Sequence, residues 1–284
     1  MDAHFANQDA RSKQYIKGGG EMKINKYIVP DTLHEAYTLL TNTNAAIIGG
    51  GLFLKMNNKE VDFGIDLSEL NLNFIVEKED SVEIGSYTTL RDIETNEIIK
   101  SMFNGVINNT CSEIYSIQVR NMATIGGSIC GKFGFSDIIT TLCSLDTYLE
   151  FYNIGRMSIN EYLKLGNIKD ILLKIIIMKQ PIAKGSFKSV RLISTDFAIL
   201  NVCCTKAENN FNIIVGARPG TPIRAKKCEG FLGSLLIIEP SDIEKAAEIA
   251  SDEVEFGSDM KGSKDYRKGL CKTLVKRALL EVIK

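Results

Sequence analysis

Apolar and polar positions alternate along this chain in two rhythms, and the switches between them mark out its elements. Residues 27–29 form a short apolar run that reads as a strand. Thr32-Leu33-His34-Glu35 has the form of a capping box, and Leu33, Ala36, Tyr37 and Leu40 then recur at the spacing of one helix face. Residues 45–48 are a buried-strand run that stops at three glycines, Gly49, Gly50 and Gly51. Residues 61–67 predict another strand. Residues 74–76 and 82–84 flank the polar Lys78-Glu79-Asp80 and predict a hairpin. Thr88-Thr89 can cap a helix carrying Leu90, Ile93 and the later Ile98, while residues 148–152 and 171–178 predict two further strands.

Between residues 111 and 137 the periodicity fades and Gly, Ser, Thr and Asn accumulate. A polar loop system of that length inside a compact domain is more often functional than idle. Ser136 can cap a helix with Asp137 in its first turn and Ile138, Ile139 and Leu142 along it. From about Phe187 the pattern changes. Residues 197–205 and 211–215 are strong strand runs, and a Gly/Pro-rich connection over 216–222 precedes a polar helical stretch. Ser241-Asp242-Ile243-Glu244 is a second capping box. The last helix carries Tyr266, Leu270, Leu274, Ala278 and Val282 as its apolar stripe. Strands followed by helices give an α+β module. The boundary falls in residues 180–186, so the expected domains are 22–183 and 184–284. Residues 1–21 are expected to be an extension outside the fold.

Composition narrows the function. The 284 residues carry 34 Lys and Arg against 35 Asp and Glu, a net charge of −1 that favours neither nucleic acid nor a membrane surface. The apolar run over 171–178 is broken by Lys174 and too short to span a bilayer. The first twenty residues hold several charges and no apolar core, unlike a secretory signal. Seven cysteines without a C-x-x-C pair argue against a disulfide framework or a self-contained zinc or iron–sulfur site, and point to the cytoplasm. With only two histidines, His4 and His34, histidine-based catalysis is close to excluded.

Two segments carry candidate chemistry. Gly49-Gly50-Gly51 after a strand admits close approach of a ligand to the backbone, and its N–H groups can form an anion-binding nest. It has neither the Walker nor the G-x-G-x-x-G spacing, and a tight turn without ligand accounts for it equally well. The run from Gln118 through Arg120 to Thr124-Ile125-Gly126-Gly127-Ser128 joins a charged arm, a Gly-Gly pair and flanking hydroxyls. Thr124 and Ser128 can donate to phosphate oxygens. Asp137 can accept from a ribose hydroxyl or a ring amine, or can simply complement a helix N-terminus.

Residues 118–137 resemble the Q-[IV]-R-N-x-A-T-I-G-G-N-[IL] signature, with its downstream Ser-Asp, of the FAD-binding subunits of molybdenum hydroxylases. These are the medium subunits of xanthine dehydrogenase, carbon monoxide dehydrogenase and related enzymes. Residues 84–94, 187–198, 216–225 and 265–279 resemble four more segments of the same family in the same order. The resemblance implies an α+β protein with the two-subdomain FAD-binding fold shared with vanillyl-alcohol oxidase, followed by a small α+β C-terminal domain, a three-stranded sheet with helices, that helps cover the flavin. It implies that Ala45, Ala46, Ile47, Ile48, Gly49, Gly50, Gly51 and Leu52 form the pyrophosphate loop. Thr124, Ile125, Gly126, Gly127 and Ser128 would form the second phosphate turn. Asp137 matches an FAD-contacting aspartate, Lys188 a flavin-side lysine, Leu173 an apolar contact near the ring, and Ile114 a hydrophobic flavin neighbour. The implied partners are a large subunit with the molybdenum cofactor and a small one with [2Fe–2S] clusters, with NAD(P)+ or another acceptor taking the electrons.

The chain departs from the family in its first loop, where Gly51 and Leu52 replace a threonine and an acidic or amide residue. Each lost hydrogen bond to a charged group is worth roughly 1.5–3 kcal/mol, so looser FAD retention is expected. No histidine lies in either loop to support covalent flavin attachment. A flavin-free scaffold and a stand-alone FAD oxidoreductase of the same fold stand as alternatives.

Overall fold

The computed structural model describes residues 22–54, 59–180 and 182–284; the extension expected over residues 1–21 lies outside them. Three sheets organise the chain. The first is parallel, in the order β1-β3-β2, from β1 (Lys23–Ile28), β2 (Ala45–Ile48) and β3 (Glu60–Asp66). The helix α1 (Leu33–Asn42) crosses from β1 to β2, capped by the Thr32 hydroxyl, which accepts from the Glu35 N–H. Ala36 and Leu40 of α1 meet Ile65 and Ile171 in a small core.

The second sheet is antiparallel in the order β4-β5-β8-β6-β7. It comprises β4 (Ile75–Glu77), β5 (Ser81–Gly85), β6 (Thr147–Phe151), β7 (Gly155–Ser158) and β8 (Leu172–Met178). β4 and β5 form the expected hairpin. Short helices cover this sheet: α2 (Leu90–Thr95), α3 (Glu97–Ser101), α4 (Val106–Ser112), α5 (Ile117–Met122), α6 (Ile125–Cys130), α7 (Asp137–Ser144) and α8 (Ile159–Lys164). Val82, Ile84, Leu149, Ile175 and Ile177 of the sheet and Ile107, Ile125, Ile138 and Leu142 of the helices share one core.

The third sheet is antiparallel in the order β12-β11-β10-β9, from β9 (Lys184–Val190), β10 (Leu200–Ala207), β11 (Asn210–Gly216) and the two-residue β12 (Ile223–Arg224). The expected three strands are present, and β12 adds a fourth at the edge. The alternation along β10 divides its side chains between two cores. Cys203 joins the core of the second sheet, whereas Val202 and Cys204 join a separate one with α9 (Lys226–Gly233), α10 (Pro240–Glu253) and α11 (Lys264–Ile283).

Three sequence expectations need correction. The stretch over 111–137 is not a loop system, because it holds α5 and α6, capped by the hydroxyls of Ser116 and Thr124. Six residues each are too few to show a helical period. α10 starts at Pro240 with Glu239 as its cap, two residues before the expected box, because Pro at the first helical position presets φ. In α11 Leu274, Ala278 and Val282 are buried as expected, but the first turn differs: Tyr266 is exposed, while Arg267 is buried and donates to the Ile199 and Gly257 carbonyls and the Asp259 carboxylate.

Candidate functional site: two glycine turns and a buried aspartate

The first glycine turn leaves β2 at the carboxyl end of the parallel sheet, where Ile48 pairs with Asp66. Crevices at that end of such sheets are where ligands sit in doubly wound folds. Gly49 and Gly50 are pressed against the segment that leads into α6. A Cβ on Gly50 would lie 1.6 Å from the Met122 carbonyl oxygen, and one on Gly49 would lie 2.7 Å from the Thr124 Oγ1. These glycines therefore let the first turn contact the second. Gly51 differs: its φ is +69°, and nothing lies within 4 Å of where a Cβ would be. Among the described residues, the N–H groups of Gly49, Gly50, Gly51 and Leu52 donate to no hydrogen-bond partner.

At the second turn every corresponding amide is engaged. The Ile125 N–H donates to the Thr88 carbonyl at 2.9 Å and the Gly126 N–H to the Ser86 carbonyl at 2.8 Å. The Gly127 N–H donates to Thr124 Oγ1 at 3.1 Å, and the Ser128 N–H and Oγ–H both donate to the Thr124 carbonyl. Gly126 has no room for a side chain, because a Cβ would lie 2.6 Å from the Ser86 oxygen. The Ser86 N–H donates in turn to the Leu173 carbonyl at 2.9 Å, which ties Leu173 to this turn through Ser86. The second turn is thus a docked helix start that presents the Thr124 hydroxyl and the Gly127 Cα to the first turn.

Arg120, expected as part of a charged arm, is buried. Its guanidinium grips Glu94 through Nε at 2.7 Å and Nη2 at 3.1 Å, and donates to the Ile114 carbonyl at 2.9 Å. Burial alone would raise the Glu94 carboxyl, yet the hydrogen bonds and charges of Arg120 and Arg91 hold it below the ordinary range. Ile114 is held beside this clamp and packs on the main core.

Asp137 is 6 % exposed at the first position of α7. One of its oxygens accepts from Arg191 Nη2 at 2.8 Å and the other from Asn201 Nδ2 at 2.6 Å. Thr140 Oγ1 donates to Asn201 Oδ1 at 3.0 Å, closing the network, and Glu113 lies 3.5 Å from Arg191. Burial pushes the Asp137 carboxyl up while Arg191 and Asn201 pull it down. Arg191 and Asn201 belong to the third sheet and its margin, so Asp137 fastens that sheet to α7.

The structure brings Gly49, Gly50, Thr124 and Gly127 together and attaches Leu173 to them. Ala45 and Ile47 face the small core. Lys188 is not brought in: it pairs across β10 with Val202, on the helix-bearing face of the third sheet, and its Nζ meets Glu281 of α11 at 2.7 Å. Sequence reasoning assigned Arg191 no role beyond the resemblance over 187–198 and passed over Asn201; the partners of both are far away in the chain. It also passed over the rings of Phe53, Phe133 and Phe135, which cluster beside the first turn. The signal for these was an F-x-F pair inside a glycine-rich connection.

The amides unpartnered among the described residues lie at the carboxyl end of a parallel sheet, where ligands sit in doubly wound folds. The family model described as FAD binding domain in molybdopterin dehydrogenase matches residues 21–178, more than half the chain. That described as CO dehydrogenase flavoprotein C-terminal domain matches residues 185–282. The chain belongs to this family: it is an FAD-binding oxidoreductase subunit of the xanthine and carbon monoxide dehydrogenase type. It is similar to the glyceraldehyde dehydrogenase medium chain of Sulfolobus acidocaldarius, at 27% identity over 90% of this chain and 97% of that one. It is also similar to the xanthine dehydrogenase FAD-binding subunit of Escherichia coli O157:H7, at 26% identity over 89% of this chain and 94% of that one. A solved carbon monoxide dehydrogenase from Hydrogenophaga pseudoflava shares the fold, with a TM-score of 0.83 at 21% identity over 92% of this chain and 97% of that chain.

Proposed function

We propose that this chain is the electron-relay subunit of a molybdenum hydroxylase. It would take electrons from a small [2Fe–2S] subunit that is served by a large molybdenum-cofactor subunit, and pass them to NAD(P)+ or another acceptor. The observation that carries the reading is the row of partnerless amides at residues 49–52 in a chain of an FAD-binding family. The residues present fit a diphosphate: backbone N–H groups in a nest favour anions without needing the absent side chains at positions 51 and 52. FAD, when bound, supplies the redox centre that lets one-electron carriers and a two-electron acceptor exchange electrons. The protein's part is to bind and orient it. The amides of residues 49–52 and the Thr124 hydroxyl hold the diphosphate, while Asp137 with Arg191 holds the third sheet over α7.

This reading takes residues 22–183 as the FAD-binding unit and residues 184–284 as its cover. The separate core of α9, α10 and α11 against the third sheet supports that division. No helix among the described residues is long and apolar enough to cross a membrane, which supports placing the complex in the cytoplasm. A flavin-free scaffold is favoured by one observation, that every amide of the second turn is already used. Titrating the chain with FAD decides between them. The relay reading expects saturable quenching of flavin fluorescence and co-purification with two further subunits. No binding, or full hydroxylating activity in a native preparation of this chain alone, would contradict it.

A further inference from the structure

The two glycine turns are joined by a side-chain link that lies in neither of them. Asp66 ends β3 and pairs with Ile48, the residue before Gly49. Tyr87 lies between Ser86 and Thr88, whose carbonyls accept from the Gly126 and Ile125 N–H groups of the second turn. The Tyr87 hydroxyl donates to Asp66 Oδ1 at 2.6 Å. One hydrogen bond therefore ties a residue beside the first turn to a residue within the seat of the second.

Both ends of this link are fixed. The Tyr87 N–H donates to the Leu72 carbonyl at 2.9 Å, and the side chain packs against the small core beneath α1. Asp66 Oδ1 also accepts from the Ser68 N–H at 2.9 Å, and Oδ2 accepts from the Tyr27 hydroxyl of β1. Burial pushes the Asp66 carboxyl up, but Tyr27, Tyr87 and Ser68 together hold it below the ordinary carboxylate range. Burial and the neighbouring Asp66 push the Tyr87 hydroxyl up, so the donor keeps its proton. A hydroxyl bonded to a carboxylate makes a short bond, roughly twice as strong as a neutral one. The glycine contacts between the turns, Gly50 on Met122 and Gly49 on Thr124, are packing contacts without such direction.

We propose that Asp66 and Tyr87 are positioning residues, which hold the amides of residues 49–52 and the Thr124 hydroxyl in register so that both reach one diphosphate. Neither side chain touches the ligand; each acts through the turn beside it. The proposal rests on the reading that the chain binds FAD at the first turn. Tyr27 supplies an internal control. It donates to the same carboxylate, but from β1, so its bond stays within the first sheet and does not cross to the second turn. Without it Asp66 keeps Ser68 and Tyr87 as donors.

The test titrates the full chain with FAD, following flavin fluorescence, and records unfolding temperature, in the native protein, Tyr87→Phe and Tyr27→Phe. Each variant keeps its ring and removes one hydroxyl from the same carboxylate. Tyr87→Phe should weaken FAD binding about tenfold, as for the loss of one hydrogen bond to a charged group. Tyr27→Phe should bind FAD as the native chain does, whatever its unfolding temperature. Asp66→Asn keeps an oxygen for Tyr87 and should fall between the two. Native affinity in Tyr87→Phe, or equal losses in Tyr87→Phe and Tyr27→Phe, would overturn the proposal while leaving FAD binding intact. A native chain that binds no FAD would sink both the proposal and the reading beneath it. If Tyr87→Phe does not fold, Asp66→Ala against Asp66→Asn puts the same question: a greater loss in Asp66→Ala supports the link, and equal affinities overturn it.

Discussion

At residues 49–52 four main-chain amides have no partner among the described residues, whereas at residues 125–128 four amides are all taken. Both turns are rich in glycine, and from the sequence both pass for phosphate cradles. Glycine serves different ends in them. Gly126 is small because α6 must lie on Ser86, and Gly49 and Gly50 are small because the two turns touch. Of the glycines in the two turns, Gly51 alone combines a left-handed φ with open space, the combination expected where a ligand approaches the backbone. Where each N–H goes, not how many glycines are present, separates a turn with free donors from a packing turn.

Asp137 stands with the second turn, since both of its oxygens are already spent on Arg191 and Asn201. The largest expected effect follows from this. Asp137→Ala takes from the buried Arg191 its nearer carboxylate, leaving Glu113 at 3.5 Å, and strips the buried Asn201 amide of its acceptor; it should cost about 3 kcal/mol or more in denaturant unfolding. A variant with an unchanged midpoint would show that Asp137 is free for other work. Next comes Gly50→Ala, which drives a Cβ into the Met122 carbonyl and should cost about 3 kcal/mol while weakening FAD binding as the turns separate. Gly51→Ala meets no neighbour and should cost only the about 1–2 kcal/mol of a left-handed alanine. The reverse order of these two would break the comparison.

A smaller effect concerns acid. Glu94 is held below the ordinary carboxylate range against the cost of its burial by Arg120 and Arg91, which fixes α5 ahead of the second turn. A carboxyl depressed in the folded state contributes stability above its unfolded pKa of about 4 and loses it as pH falls through the lower folded value. Denaturant midpoints should therefore fall on acidification below about pH 4, and Glu94→Gln should flatten that fall by a fraction of the total. Midpoints that rise toward acid would contradict the pairing.

Much of the scaffold was legible because its elements are long or carry local signals. Thr32 caps α1, Thr89 caps α2 and Ser136 caps α7, as the sequence suggests. The runs of β8, β10 and β11 are apolar enough to be unmistakable. What was hidden depends on distant partners or on few residues. α5 and α6 are too short to show a period, and β12 exists only by pairing with β11. The buried position of Arg267 follows from carbonyls at Ile199, Gly257 and Gly262 that no local pattern announces. In the site, motif resemblance located both turns but not their division of labour. Lys188 faces Glu281 and α11 because the β9–β10 register puts it on the helix side, a fact of pairing that the motif does not contain.

Amide hydrogen exchange, resolved residue by residue with and without FAD, tests that division most directly. In the free chain the amides of residues 125–128 should exchange slowly and those of residues 49–52 rapidly. On adding FAD the first turn should become protected while the second hardly changes. Protection gained at residues 125–128, with residues 49–52 still exchanging freely, would contradict the assignment of the diphosphate to the first turn.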